Sequence, residues 1–171
     1  VPKRPAQAGL FYALSLVLIV VNSMIATPAP LNGCWPVDHI GIAVSDMAQA
    51  IAWYAKTMSG TVSFRETLDD RAVELAFIQT PSCKIELLAA TRADSTIGKF
   101  IASRGPGIHH ICYEVTDITS VLKKLSAAGM MLIDSVPRKG AGESKIAFIH
   151  PQSCMGVLTE LCEYTTAPRH S

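Results

Sequence analysis

From Val37 onward the pattern of apolar and polar positions runs through the same sequence of changes twice. Val37 to Val44 reads as a strand of about eight residues, ends at Ser45-Asp46, and gives way to apolar residues at Ile51, Tyr54, Ala55 and Met58, the spacing of one helix face. Ile108 to Val115 repeats the strand, Thr116-Asp117 repeats the junction, and Ile118, Val121, Leu122 and Leu125 repeat the helical stripe. At each junction an aspartate can accept hydrogen bonds from the first free N–H groups of the helix. Gly60 and Gly129 stand where a left-handed cap is expected to end each helix.

Three further strand-like runs follow in each copy. In the first they are about Val62 to Leu68, Ala72 to Gln79 and Lys84 to Ala89, separated by Asp69-Asp70 and Pro81-Ser82. In the second they are about Met131 to Val136, Lys145 to His150 and Gly156 to Glu163, separated by Pro137 to Gly142 and Pro151 to Ser153. A short helix near Thr96 to Arg104, closed by Gly105-Pro106-Gly107, joins the copies. The predicted architecture is α+β: two tandem βαβββ modules, residues 37–90 and 108–163, forming an eight-stranded curved cup with helices outside. One domain spans residues 36–165, with a tail at 166–171.

The segment before Val37 follows another rule. Lys3 and Arg4 precede an uncharged run that is most apolar from Leu10 to Val21, which reads as a secretory leader or membrane anchor over residues 1–35. A transit peptide and a gene-prediction artefact stay open, and membrane contact is expected only if this segment is retained. Charged residues make up 17% of the 171-residue chain and the net charge is +1, so no broad field draws in DNA or RNA, and no nucleic-acid partner is expected. The five cysteines are scattered without a C-x-x-C pair and read as free thiols.

Within the repeat, His39 and His110 hold the same place in their strands, and Glu86 and Glu160 lie in the last strand of each copy, at nearly equal distances along the chain. Pseudo-twofold symmetry would gather all four on one wall of the cup. Two imidazoles and two carboxylates suit a divalent transition metal. A lone strand histidine is ordinarily a hydrogen-bonded core residue; four such groups at repeat-equivalent positions shift the balance to a site. His39 shares a strand face with the small residues Gly41 and Ala43, while Ile40, Ile42 and Val44 face the helices. His109 is expected to point outward.

The stretches Asp38-His39-Ile40-Gly41-Ile42-Ala43-Val44, Gly107-Ile108-His109-His110-Ile111 and His150-Pro151 through Gly156-Val157-Leu158-Thr159-Glu160-Leu161, with Asp94-Ser95-Thr96-Ile97, resemble the methylmalonyl-CoA epimerases of the vicinal oxygen chelate superfamily. The resemblance covers about Val37 to Glu163. It implies metal ligands at His39, Glu86, His110 and Glu160, with cobalt the expected ion and manganese or zinc as alternatives. The second ligand position is Gln in some members of the family and Glu here, which leaves the metal preference open. It also implies a CoA-thioester substrate, proton transfer at the carbon beside the thioester carbonyl, a homodimer and a mitochondrial matrix location.

Glu74 aligns with the family's base, and its strand-face neighbours Ala72 and Ala76 are small and apolar; the competing reading is an exposed edge-strand carboxylate, or a partner for nearby Arg71. Glu160 is the candidate second acid, with bound water as its rival. Lys139 and Lys145 flank a Gly140-Ala141-Gly142 loop that could meet the phosphates of CoA, although a solvated, flexible loop explains them better. The competing functions are a glyoxalase I-like isomerase or lyase and a non-catalytic small-molecule-binding module of the same fold.

Overall fold

The computed structural model describes residues 34–165; the apolar leader and the tail expected at 1–35 and 166–171 fall outside them except for Cys34 and Trp35. The first copy comprises β1 (Val37–Val44), α1 (Met47–Met58), β2 (Thr61–Leu68), β3 (Val73–Gln79) and β4 (Lys84–Ala90). The joining helix α2 (Thr96–Arg104) leads to β5 (Gly107–Glu114), α3 (Ile118–Ala127), β6 (Arg138–Lys139), β7 (Ser144–Ile149) and β8 (Thr159–Tyr164). All eight strands form one sheet in the order β2-β3-β4-β1-β5-β8-β7-β6. The first strands of the two copies meet antiparallel at the centre, and each runs parallel to the last strand of its own copy. That is the expected eight-stranded α+β cup.

Local chemistry explains the junctions. Asp46 accepts a hydrogen bond from the Gln49 N–H, and Asp117 does the same for Ser120, each at 2.9 Å. Ser95 caps α2 through the Gly98 N–H at 3.1 Å. Under α1, Met47, Ala76, Ile78, Leu87 and Ala89 form one apolar cluster on the convex face, joined by Ile42 and Val44 of β1. Val73, Leu75, Phe77 and Leu88 point the other way and pack with Ile97 of α2 on the concave side.

The helical stripes are unequal. Ile118, Leu122 and Leu125 of α3 are buried, whereas in α1 only Met47 is, and Ala55 and Met58 of the predicted stripe are exposed. Ser59, not Gly60, takes the left-handed position after α1, with φ of 54°. Gly60 is required instead by space, since a Cβ there would sit 2.6 Å from Ile78 Cγ2. Gly129 does adopt the left-handed conformation, at φ of 79°, and Met130 N–H closes back on the Leu125 carbonyl.

The strand expected at Met131 to Val136 does not form: one bridge between Leu132 and Ile149 is all that pairs there, and the edge strand is the two-residue β6 within the expected turn. Backbone N–H groups of Ile133 and Asp134 both reach the Phe148 carbonyl, so the ladder gives way to a bend just before Pro137. No helix among the described residues is long and apolar enough to cross a membrane. The five cysteines are all free thiols.

Candidate metal centre

The centre forms where β1 and β5 cross the floor of the cup. Gly41 lies opposite His110, and a Cβ on Gly41 would fall 2.2 Å from His110 Cε1, so only glycine admits the ring. From β4, Glu86 lies opposite Phe77 of β3 and therefore shares its concave face. His39 Nε2 and His110 Nε2 approach to 3.2 Å, and Glu86 Oε2 stands 3.4 Å from each of them. The ligand atoms of these three residues all lie within 4.8 Å of one another. Glu160 Oε2 reaches the group through His110 Nε2 at 3.1 Å.

Two imidazoles and two carboxylates at this spacing, all buried, fit a divalent cation: without one, two carboxylates share a nearly dry site. The carboxyls respond differently. Burial pushes both up, but the charges of His39 and His110 outweigh it at Glu86 and hold that group below the usual carboxylate range. Burial wins at Glu160, whose carboxyl is raised. His39 keeps a proton well above the usual histidine range: burial opposes this, but the Glu86 charge and the Asp38 hydrogen bond dominate.

A cavity of about 840 Å³ opens over the four residues, walled by Val73, Leu75, Phe77, Leu88, Ile97 and Phe148. That is the size of a small-molecule site, and its lining mixes these apolar side chains with charged ones, Arg71, Arg92 and Arg138 among them.

Three residues named from sequence lie elsewhere. Glu74 alternates with Val73 and Leu75, and pairing opposite Ala89 puts it on the convex face, where it accepts hydrogen bonds from Arg65 through both Nε and Nη2. The structure does not bring Glu74 to the cup; Leu75 occupies the cavity wall in its place. Lys139 and Lys145 lie opposite each other on the outer face, and Lys145 pairs with Glu163 at 3.1 Å. Their neighbours in the alternation, Arg138 and Ile146, face the cavity, as does Arg71 at the opposite edge of the sheet.

His109 also departs from expectation. The register of β5 slips between His110 and Ile108, leaving His109 as the extra residue of a bulge, and it turns inward to place Nδ1 2.9 Å from His110 Nδ1. Burial lowers its imidazole to about 4, with the His110 charge adding to the effect, so it is neutral at pH 7. Sequence reasoning also passed over Asp38, Lys84 and Tyr164. A second slip, between Val37 and His39, leaves Asp38 as the extra residue of β1 and buries it beside His39, a displacement that strict alternation cannot show.

A model of the glyoxalase/bleomycin resistance protein/dioxygenase superfamily matches residues 38–148, and the chain belongs to that superfamily. Within it the chain is 38% identical over 126 residues to the ethylmalonyl-CoA/methylmalonyl-CoA epimerase of Cereibacter sphaeroides, covering 72% of this chain and 94% of that one. It is 31% identical over 161 residues to the mitochondrial methylmalonyl-CoA epimerase of Homo sapiens, covering 90% and 91%. Among solved structures, a methylmalonyl-CoA epimerase in complex with methylmalonyl-CoA and NH4+ superposes with a TM-score of 0.74 at 32% identity, over 78% of this chain and 97% of the other. The particular group these likenesses define is that of the methylmalonyl-CoA epimerases, and this protein is an epimerase of that family.

Proposed function

We infer that the protein epimerises methylmalonyl-CoA by moving one proton at the carbon between the carboxylate and the thioester, with a divalent cation bound by His39, Glu86, His110 and Glu160. The convergence of those four side chains beneath the cavity carries this reading, and the family supplies the substrate. The chemical obstacle is the weak acidity of that carbon. A bound cation contributes Lewis acidity where negative charge develops on the thioester oxygen.

The chain's own groups do the rest. Val73, Leu75, Phe77 and Leu88 line the cavity beside the four proposed ligands and would keep bulk water from the reacting carbon. Glu160 carries the proton on one face in this reading, supported by its place outside the group formed by the three closer ligands, which makes its carboxylate the one most readily released from the cation. Water in the cavity serves the other face. Arg71 and Arg138, rather than the outward lysines, offer cationic groups toward the CoA arm. Cobalt is the ion of this reading, and a homodimer in the mitochondrial matrix completes it, supported by the family resemblance and the mitochondrial name of the human relative; the Cereibacter relative is bacterial.

The test is deuterium uptake at the α-carbon of methylmalonyl-CoA in deuterated water, with cobalt-loaded wild type, His110→Ala and Glu160→Gln. Wild type exchanges, His110→Ala loses exchange together with the metal, and Glu160→Gln loses about 10²-fold while retaining the metal. A folded, metal-loaded wild type that leaves the α-proton in place would refute the epimerase and direct attention to glyoxalase-type substrates. Ligand binding with no metal requirement would favour the binding module.

A further inference from the structure

Behind the two histidines the chain builds two different supports. His110 Nδ1 rests on His109 Nδ1 at 2.9 Å, another imidazole. His39 Nδ1 lies 2.7 Å from Asp38 Oδ2, and Asp38 is itself held from two other strands: Lys84 Nζ of β4 stands 2.8 Å from Oδ1, and the Tyr164 hydroxyl of β8 donates to Oδ2 at 3.0 Å. Lys84 closes the ring by donating to the Tyr164 oxygen at 2.8 Å. Asp38 is fully buried, and Phe77 lies edge-on to the His39 ring with centroids 5.2 Å apart, which limits rotation of the imidazole.

We propose that Asp38, clamped by Lys84 and Tyr164, is a positioning residue that fixes His39 as the Nδ1–H tautomer with Nε2 aimed into the cup, making His39 the anchoring ligand of the metal centre. The inference rests on the metal reading given above. A carboxylate behind a histidine orients the ring and raises the electron density on the nitrogen that binds metal, and losing such a partner weakens metal affinity by about 10- to 100-fold. An imidazole in that role, as behind His110, brings no negative charge and does this less well. The Lys84 ammonium beside Oδ1 and the Tyr164 hydroxyl on Oδ2 are the partners that an ionised carboxylate takes in a buried place. Burial and the Asp38 charge raise Tyr164, which therefore keeps the proton it donates.

The three strands involved explain why no local motif reveals the device. β1, β4 and β8 each contribute one residue, and β8 is separated from β1 by β5. Only the finished sheet brings the groups together.

The experiment measures cobalt binding by full-length wild type, Asp38→Asn, Tyr164→Phe and His109→Asn through chelator competition, with the visible cobalt spectrum of each and the melting temperature of each metal-free protein. Asp38→Asn is expected to bind cobalt about 10- to 100-fold more weakly with altered cobalt bands, Tyr164→Phe to lose severalfold, and His109→Asn to lose less than Asp38→Asn. The spectrum and affinity report the ligand; the metal-free melting temperature reports packing alone. Wild-type affinity and bands in Asp38→Asn would overturn the inference while sparing the metal centre. If Asp38→Asn does not fold, unchanged cobalt binding by Tyr164→Phe overturns it. Absence of cobalt binding by folded wild type would overturn both readings.

Discussion

The two modules share one plan and are supported differently, which separates what symmetry can specify from what neighbours decide. Each supplies a histidine from its first strand and a glutamate from its last, and these meet near the pseudo-twofold axis. Away from the axis the copies diverge. The first has three full strands after its helix, and its histidine leans on a clamped carboxylate; in the second the strand that follows the helix has only two residues, and its histidine leans on another imidazole. The helices diverge in the opposite sense, α3 burying three apolar side chains and α1 one.

The largest expected contrast lies in the helices. Leu125→Ala, truncating a fully buried side chain, costs about 3 kcal/mol of unfolding free energy, whereas Ile51→Ala in α1 costs about 1 kcal/mol. Denaturant unfolding of both variants checks this, and equal losses would remove the asymmetry.

A smaller effect separates the metal-free from the loaded site. His39 holds its proton above the usual range, so its contribution to metal-free stability is fully present below about pH 6.5 and is lost as pH rises through its folded value. Metal must displace that proton, so cobalt affinity falls by roughly tenfold per pH unit as pH drops, for one competing proton. Melting curves with and without cobalt across pH 5.5 to 8.5 should therefore diverge as pH rises, given roughly those limits. The smallest effect is expected at Glu74. Glu74→Gln removes a partly exposed pair with Arg65, changing stability by about 1 kcal/mol or less and deuterium uptake by less than about twofold. A large loss of uptake would return this residue to the reaction.

What the sequence made legible follows the range of the interactions involved. Helix starts at Asp46 and Asp117 could be read because an N-cap acts over three residues. The convergence of His39, Glu86, His110 and Glu160 could be read because duplication wrote it twice. Glu74 could not: which face of β3 meets the cup is fixed by Phe77 pairing with Glu86 across a turn, and the two phases differ by one residue. The same one-residue question exchanged Lys139 for Arg138 as a cavity-facing group. His109 and Asp38 were hidden by bulges, which break alternation where a site needs two successive residues turned inward. Tyr164 and Lys84 carry no local mark, since their role exists only through strands brought together by the sheet.

The position of β8 between β5 and β7 also sets the order in which function can arise as the chain is made. His39, Glu86 and His110 leave the ribosome early, along with Asp38 and Lys84. Glu160, the fourth of the proposed ligands, and Tyr164 come with the final strand, which must enter a gap between two strands already synthesised. A nascent chain stopped short of Thr159 would carry three of the four proposed ligands and most of the core, yet have an open seam beside its central strand. Binding and structural closure are thus completed by the same late event.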